Sequence, residues 1–258
     1  MDITTNTETI SAEPASIGTF FSAPLFLCGI SIALHAAHNQ QVITLVDLEA
    51  PLLGKSAQLL SPKEQEYYKR FKYQKRRKEW LGGRIAAKAA LMQAGFADQA
   101  KQLTILPDEF GRPRATGMQV EQAKVSFSIS HSSRYAVALA MPGQSCGIDL
   151  QKISPKLADL TNHFATAQEL SLLARQPDIS SEDLGLTMLW AAKESLKKSL
   201  LYDQSMIFSG TETREIQLLQ EHVWQFECTV EGHGVQRATL YDLAPYILAL
   251  CQADARTP

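Results

Sequence analysis

Hydrophobic and polar residues follow two different periods along this chain. Alternating or continuous apolar runs, bounded by turn-forming residues, predict β-strands. Such runs cover residues 20–34, 41–47, 103–106, 125–131, 135–141, 146–151, 223–230, 237–241 and 246–251. The runs 125–131 and 135–141 are separated only by Ser132-Ser133-Arg134, which predicts a hairpin with His131 at the end of its first strand.

Helical periodicity occurs between these strands, and two helical segments share a start signal. Ser61 and Thr166 each precede a glutamate by three residues, which is the spacing of a capping box. The first helical pattern runs, with a break near Tyr73, to the residue before Gly95, a stop signal. The last helical pattern covers residues 186–201, and its buried stripe is predicted to contain Leu189, Ala192, Leu196 and Leu200.

The two capping boxes belong to a weak internal repeat. The first is followed by Trp80-x-x-x-Arg84-x-x-x-Lys88 and the second by Trp190-x-x-x-Glu194-x-x-x-Lys198, although chance can produce so short a match. The repeat predicts an α+β fold of two similar, pseudo-symmetric halves, with a ligand site in the cleft between them. The predicted units are a disordered N-terminal tail at residues 1–17, a first half at 18–142 and a second half at 143–258.

Charge is unevenly distributed over the 258 residues, of which 45% are hydrophobic and 20% charged. Seven of the ten residues from Lys69 to Lys78 are basic, and without them 18 basic residues face 27 acidic ones. A local anion site is therefore favoured over a generally cationic protein. The basic run also has two other interpretations: a solvated helix face, or a nucleic-acid surface that uses Phe71, Tyr73 and Trp80 for base stacking.

The cysteines and the N-terminal residues indicate in which cellular compartment the protein is expected. The four cysteines are scattered without a Cys-x-x-Cys pair, which disfavours a zinc site or a disulfide framework and favours reduced thiols. The apolar run 20–34 is too short to span a bilayer and contains Pro24. Asp2, Glu8 and Glu13 precede it without any basic residue, so a signal peptide is disfavoured and a cytoplasmic protein without a membrane partner is expected.

The stretch Trp190 to Lys198 carries the first candidate chemistry. Glu194 and Lys198 lie one helical turn apart, which is also the spacing of an ordinary surface ion pair. Lys193 falls closer to the apolar stripe than a solvated lysine should, and this unexplained charge is a first indication of a site.

A second carboxylate makes a metal site conceivable. Asp149 lies on a predicted strand, and two carboxylates that converge suit Mg²⁺, which usually keeps phosphate oxygens among its other ligands. Lys198, His131 and Arg112 are donors suited to phosphate, so the set fits a pyrophosphate or phosphoryl substrate. Singly, Asp149 also reads as a turn or cap residue and His131 as a hydrogen-bonded histidine at a strand end.

These residues lie in motifs that resemble a known family. Phe127-Ser128-Ile129-Ser130-His131-Ser132, Gly147-Ile148-Asp149-Leu150 and Trp190-Ala191-Ala192-Lys193-Glu194-Ser195-x-x-Lys198 occur in the order and spacing of Sfp-type 4′-phosphopantetheinyl transferases. Phe110-Gly111-Arg112-Pro113 matches a shorter motif that usually has lysine at the position of Arg112. The resemblance covers roughly residues 40–200. Within the family, the chain is similar to the longer, monomeric type with two pseudo-symmetric halves.

The resemblance implies an activity and a set of roles. A member of this family moves 4′-phosphopantetheine from coenzyme A to a serine of an acyl or peptidyl carrier protein and releases 3′,5′-ADP. Asp149 and Glu194 would hold Mg²⁺, and Glu194 would also orient or deprotonate the serine. Coenzyme A would be bound by Lys75, Arg112, Ser130, His131 and Lys198, with Arg112 and Lys75 at the 3′-phosphate.

Gln151 departs from the pattern implied by the resemblance. Many members have glutamate two residues after the aspartate, as a third acidic ligand, whereas a neutral amide can only ligate the metal or hold its water. This departure motivates a second hypothesis, a non-catalytic coenzyme A- or nucleotide-binding protein of the same fold. A nucleic-acid-binding protein that uses residues 69–78 is the third hypothesis, and the leading one expects no nucleic-acid partner.

Overall fold

The computed structural model describes residues 23–27, 30–37, 41–51, 53–117, 120, 125–201 and 210–253. The tail predicted at residues 1–17 lies outside them. The described strands form two five-stranded sheets and a two-stranded ribbon, and every strand pair is antiparallel. With helices packed against each sheet, the predicted α+β class is confirmed. No helix in the described part of the chain combines the length and apolar character that crossing a bilayer requires.

The first sheet has the strand order β1-β2-β3-β7-β6. Its strands are β1 (Ala23–Leu27), β2 (Ile30–Ala37), β3 (Gln41–Asp47), β6 (Ser126–Ser132) and β7 (Tyr135–Met141). The predicted hairpin is β6–β7, and Ser133, at φ 53°, turns the chain between them. The ribbon of β4 (Thr104–Pro107) and β5 (Pro113–Thr116) projects the turn 108–112.

The second sheet has the order β8-β12-β11-β10-β9. Its strands are β8 (Ser145–Lys152), β9 (Thr211–Gln220), β10 (Val223–Val230), β11 (Gly234–Leu243) and β12 (Tyr246–Ala253). Strand β9, which the sequence pattern does not predict, is an edge strand whose side chains are mostly exposed. Its polar composition hides it from a search for apolar runs.

Helices connect the strands on both sides of the β7–β8 turn. The α-helices are α1 (Pro62–Tyr68), α2 (Gln74–Gln93), α3 (Thr161–Phe164), α4 (Ala167–Ala174) and α5 (Glu182–Leu200), and the 3₁₀ helices are Leu53–Leu59, Ala100–Gln102 and Pro155–Leu160. Both predicted capping boxes are formed, at Ser61 and at Thr166. The predicted break near Tyr73 separates α1 from α2, and Gly95, at φ 81°, follows the end of α2.

The two halves repeat one arrangement of elements. In each half a strand, β3 or β8, leads through a 3₁₀ helix and a short capped helix to a long helix, α2 or α5. In each half the last hairpin, β6–β7 or β11–β12, then returns to pair with the strand that began the unit. The pseudo-symmetry predicted from the sequence repeat is therefore present in the strand order.

A buried ion pair marks equivalent positions in the two halves. Lys88 on α2 pairs with Glu64 at 2.8 Å, and Lys193 on α5 pairs with Glu169 at 2.8 Å, with all four side chains at most 1% exposed. Each glutamate also accepts a backbone N–H, Glu64 from Ile105 on β4 and Glu169 from Thr213 on β9. Buried charges require such pairing and hydrogen bonding, so these four residues hold helix to helix and helix to strand.

This equivalence corrects the register of the sequence repeat. The sequence comparison pairs Lys88 with Lys198, whereas the ion pairs make Lys193 the counterpart of Lys88. The capping boxes are correctly matched, but the matched helix positions are five residues out of register. The interpretation of Lys193 as an indication of a site is wrong, because its charge is neutralised by Glu169, and its ammonium group also donates a hydrogen bond to the Phe164 carbonyl at 2.8 Å.

Serine hydroxyls join the two sheets where β6 meets β8. The Oγ atoms of Ser126, Ser128 and Ser132 accept hydrogen bonds from the backbone N–H groups of Cys146, Ile148 and Lys152, at 3.2, 3.1 and 2.9 Å. β8 pairs with β12 on its other side, so these serines satisfy an edge that would otherwise be unpaired. The serine face of β6 is therefore the junction between the halves.

Candidate active site

The site is built where α5 lies directly against β8. A Cβ atom added at Gly147 would come within 1.8 Å of the Ser195 carbonyl oxygen, so only glycine allows this approach. Ser145 at the start of β8 donates to the Ser199 carbonyl at 2.6 Å and fixes the same helix further along. This close packing brings Asp149 of the strand next to Lys198 of the helix.

Asp149 is the centre of a small polar cluster. Its side chain is buried, and Oδ1 accepts hydrogen bonds from Ser130 Oγ at 2.8 Å and from Lys198 Nζ at 2.6 Å. Lys198 also donates to the Ile148 carbonyl at 3.1 Å. Strand β6, strand β8 and helix α5 each contribute one side chain, so Asp149 Oδ1 is held from both halves of the molecule.

The second oxygen of Asp149 has a different environment. Oδ2 is buried and has no hydrogen-bond partner among the described residues. Glu194 on α5 is half-buried, and burial together with the charge of Asp149 raises its pKa, while Lys198 and Lys197 oppose that rise. Two carboxylates thus approach each other, and the repulsion between them is only partly compensated by the lysines.

A cavity of about 370 Å³ opens beside the carboxylates. Helix α5 contributes Glu194, Lys197 and Lys198 to its lining, and the β4–β5 turn contributes Phe110 to Pro113. Phe127, Ser128 and Ile129 of β6 contribute to its lining. The cavity therefore presents the Glu194 carboxylate and two lysines from α5, Arg112 from the turn, and the apolar side chains of Phe110, Phe127 and Ile129.

His131 lies at the edge of this cluster, near the end of β6. Burial lowers its pKa below the usual value, and the charges of Arg76 and Lys198 act in the same direction, while Glu79 and Asp149 oppose them. At neutral pH the imidazole is therefore neutral and offers one N–H donor rather than a full charge.

Comparison with known proteins places this geometry in a family. A profile of the 4′-phosphopantetheinyl transferase superfamily matches residues 145–251, and a second, described as 4′-phosphopantetheinyl transferase, N-terminal, matches residues 52–143. A holo-[acyl-carrier-protein] synthase from Petrotoga mobilis is 34% identical over 93 residues, which are 32% of this chain and 77% of that protein. The chain belongs to the 4′-phosphopantetheinyl transferase superfamily.

Two further similar proteins are less identical to this chain. A 4′-phosphopantetheinyl transferase from Bacillus subtilis is 29% identical over 140 residues, and the chain spans 59% of its length and 54% of its own. A solved holo-(acyl-carrier-protein) synthase from Bacillus anthracis, in complex with CoA (3′,5′-ADP), is 26% identical. It covers 40% of this chain and 93% of its own, at a TM-score of 0.36.

The structure gathers most residues that the sequence predicts for a 4′-phosphopantetheinyl transferase site. Asp149, Ser130 and Lys198 are in direct contact, and Glu194 and Arg112 line the adjoining cavity. Gln151 is half-buried on β8, and strand alternation gives it the same face of the strand as Asp149. No group of three or more His, Cys, Asp or Glu side chains with metal-binding geometry occurs among the described residues, consistent with an amide at position 151.

Lys75 is not brought into this cavity. Its side chain is 86% exposed on the first turn of α2, 3.9 Å from Glu79. It lines a separate groove of about 250 Å³ together with Lys78, Glu49 and Ser133. Lys75 and Arg112 therefore line different cavities, so the structure does not bring together the pair predicted at one phosphate.

The basic run 69–78 is occupied by local contacts. Lys69, Arg76 and Lys78 pair with Glu66, Glu79 and Glu49. Arg70 and Arg77 stack on Tyr67 and Tyr68. Phe71 and Trp80 pack against Tyr67, and Trp80 is 8% exposed, so two of the three aromatic residues considered for base stacking are packed in the protein. This favours the interpretation of the run as a solvated helix face.

Lys197 is a cavity residue that the sequence analysis does not single out. It lies three positions after Glu194, so helical geometry turns both side chains toward the same face of α5. The signal was present in the Lys197-Lys198 pair, but only the second lysine occupies a family motif position.

Proposed function

We propose that this protein transfers the 4′-phosphopantetheine group of coenzyme A to a serine of an acyl or peptidyl carrier protein and releases 3′,5′-ADP. The main observation is a cavity lined by Glu194, Lys198 and Arg112, in which Lys198 also holds the buried carboxylate of Asp149. Membership of the 4′-phosphopantetheinyl transferase superfamily, and relatives named holo-[acyl-carrier-protein] synthase, support the same reaction.

The reaction is a displacement at phosphorus. The serine oxygen forms a bond to the phosphorus that carries pantetheine, and the bond from that phosphorus to the bridging oxygen of 3′,5′-ADP breaks. The serine proton needs an acceptor, and the leaving phosphate needs positive charge or hydrogen-bond donors. The transfer therefore requires no oxidant and no substrate besides coenzyme A and the carrier protein.

Glu194 is the group we assign to the serine proton. Asp149 has one oxygen engaged by Lys198 and Ser130, whereas Glu194 faces the cavity and has no ion pair within the described residues. Lys198, His131 and Arg112 then supply donors to the phosphates, with Lys198 fixed by Asp149 and the Ile148 carbonyl.

The donor set fits a Mg²⁺ ion. The buried, unpartnered Oδ2 of Asp149 and the neighbouring carboxylate of Glu194 are hard oxygen ligands, and a cation between them would relieve their repulsion. Gln151 would add an amide oxygen, either directly or through water. Bound there, Mg²⁺ would neutralise the charge of the pyrophosphate.

Mass spectrometry of carrier proteins tests the proposal. After incubation with coenzyme A and Mg²⁺, an apo carrier protein is expected to gain the mass of one phosphopantetheine. A carrier with its acceptor serine replaced by alanine serves as the control, and chelation of the metal should stop the gain. Unchanged masses across a broad panel of acyl and peptidyl carriers, at saturating coenzyme A, would contradict transfer.

Binding measurements separate the two competing functions from transfer. A non-catalytic coenzyme A-binding protein, suggested by Gln151, would bind coenzyme A in calorimetry without altering any carrier. A nucleic-acid-binding protein would bind polyanions with a strong salt dependence that coenzyme A does not affect. The expected monomeric state is tested by light scattering on the same sample.

A further inference from the structure

Lys197 is a half-buried lysine that lines the cavity. It lies between Leu196, which is fully buried, and Lys198, and its half-buried side chain lines the cavity with Phe110, Phe127 and Ile129. A half-buried lysine can pack its methylene chain on such apolar side chains while its ammonium group reaches the open space of the cavity.

The described residues offer Lys197 no ion pair or hydrogen bond that would satisfy it. Lys198, next in sequence, has two: the Asp149 carboxylate at 2.6 Å and the Ile148 carbonyl at 3.1 Å. Glu194 lies near enough to Lys197 for the lysine to lower its pKa, but this influence is the weakest of those acting on Glu194. Most of the positive charge of Lys198 is therefore taken up by Asp149, whereas that of Lys197 remains available to a ligand.

We infer that Lys197 binds a phosphate of the nucleotide end of coenzyme A and is a specificity-determining residue of this site. The inference rests on the proposed function. The ligand must be anionic to match an ammonium group, and in coenzyme A the anionic groups belong to the nucleotide, while the pantetheine arm is neutral. Arg112, which lines the same cavity, adds a second cation for such a group.

The charges around the cavity support this choice. Asp149 and Glu194 contribute two negative charges, and Lys197, Lys198 and Arg112 contribute three positive ones. Because position 151 is glutamine, the site lacks a third carboxylate beside Asp149 and Glu194 that would repel phosphate. Lys197 thus gives this chain an attraction for the nucleotide that does not depend on a metal ion.

Calorimetry in the presence of EDTA tests the role of Lys197. Lys197→Gln is expected to weaken binding of coenzyme A and of 3′,5′-ADP by about tenfold or more, since a charge-assisted hydrogen bond is lost. Lys197→Arg should recover part of that loss. The slope of log Kd against log salt should fall in Lys197→Gln, which a purely structural effect would not produce.

Matched controls isolate the site and the ligand group. Lys101→Gln removes the same charge from an exposed lysine outside the cavity and should leave coenzyme A binding unchanged. Pantetheine, which has no phosphate, should bind wild type and Lys197→Gln alike. Circular dichroism and a thermal melt verify that each variant is folded.

The outcomes distinguish failure of this inference from failure of the proposed function. If wild type binds neither coenzyme A nor 3′,5′-ADP with or without Mg²⁺, the proposed function fails and the assignment of Lys197 fails with it. If wild type binds both and Lys197→Gln binds them within about twofold of wild type, only the role of Lys197 is overturned. The role of Lys197 would also be overturned if Lys197→Gln raised the KM for a carrier protein but left coenzyme A binding intact. The anionic group bound by Lys197 would then belong to the carrier protein.

Discussion

At the scale of single residues, the neutral amide of Gln151 determines how much transfer activity each substitution near Asp149 should remove. Gln151→Ala is predicted to lower the transfer rate by about 10–100-fold, the usual cost of removing a group that holds a ligand or its water. Asp149→Ala should nearly abolish transfer, because Lys198 and Ser130 then lose the carboxylate that holds them. Rates are measured with one carrier protein at saturating coenzyme A.

Gln151→Glu is the matched control for that series. It should remain active and require less Mg²⁺ for half-maximal rate, because a third carboxylate increases attraction for the cation. Equal inactivation by Gln151→Ala and Asp149→Ala, with both variants folded, would show that the amide is as important as the carboxylate and would contradict this ranking.

Glu194 gives a prediction about stability and pH in the metal-free protein. Its pKa is raised in the folded state, so the folded protein binds more protons than the unfolded chain as pH falls toward that pKa. The stability contributed by the protonated form is present at low pH and is lost as pH rises through the folded pKa. Glu194→Gln should therefore melt at a higher temperature than wild type at pH 7.5.

The difference in melting temperature should shrink as pH is lowered into the acid range, where Glu194 is protonated in wild type as well. Differential scanning calorimetry in EDTA measures both proteins across this range. A gap that stays constant with pH would show that the gain comes from packing and not from the charge. Transfer activity should fall in the same variant, since the amide cannot accept the serine proton.

The residues of the site were partly accessible from sequence because each belongs to a local motif with its own chemistry. Asp149, Glu194 and Lys198 could be selected in this way, and they do meet in the fold. Lys193 could not be interpreted, because its partner Glu169 lies 24 residues earlier and no local pattern reveals a buried long-range pair. Lys197 was missed because its significance depends on which lysine Asp149 engages.

At the scale of elements, the approach of α5 to β8 depends on Gly147. Gly147→Ala is predicted to destabilise the protein by about 3 kcal/mol or more, because the added methyl group meets the rigid Ser195 carbonyl at 1.8 Å. Gly54→Ala is the control: nothing lies within 4 Å of its added carbon, so stability should stay within about 1 kcal/mol of wild type. Urea denaturation measures both, and a mild effect at Gly147 would mean that the helix can move away.

The serine junction gives a second prediction at this scale. Ser128→Ala leaves the buried N–H of Ile148 without its acceptor and should cost about 1–3 kcal/mol in urea denaturation. Ser132→Ala removes the equivalent hydrogen bond to Lys152 at an exposed position, where water can replace the hydroxyl. Similar losses for the two variants would argue against burial as the cause.

Secondary structure was predictable where start and stop residues coincide with a clear period. The capping boxes at Ser61 and Thr166 place helix starts correctly, and the run 223–230 coincides with β10. Helix α5 begins at Glu182, earlier than the apolar stripe suggests, because Ser181 caps it. Strand β9 was missed since an exposed edge strand does not need an apolar face.

At the scale of the whole molecule, each half is stabilised by an equivalent buried ion pair between a lysine and a glutamate. Lys193→Met is predicted to destabilise the protein by about 3–5 kcal/mol, because Glu169 is left charged and buried without a counterion. Adding Glu169→Gln should recover part of the loss, as the amide oxygen can still accept the N–H of Thr213. Lys69→Met, at an exposed pair, should change the urea midpoint little.

The frame is symmetric, but the chemistry is not. The residue after Lys88 is Ala89, whereas the residue after Lys193 is Glu194. Five positions after the two lysines the residues are Gln93 and Lys198. The sequence repeat correctly indicated two similar halves, but it aligned the charged positions of α5 with unrelated positions of α2, because so short a match cannot fix its own register.

The serine junction also bears on whether the halves could exist apart. If the chain were divided at the turn between β7 and β8, the fragment 145–253 would expose the N–H groups that Ser126, Ser128 and Ser132 now satisfy. An uncovered sheet edge of this kind is a template for pairing with a second copy. Such a fragment would therefore aggregate edge to edge, so the three serine hydroxyls also protect the protein from self-association.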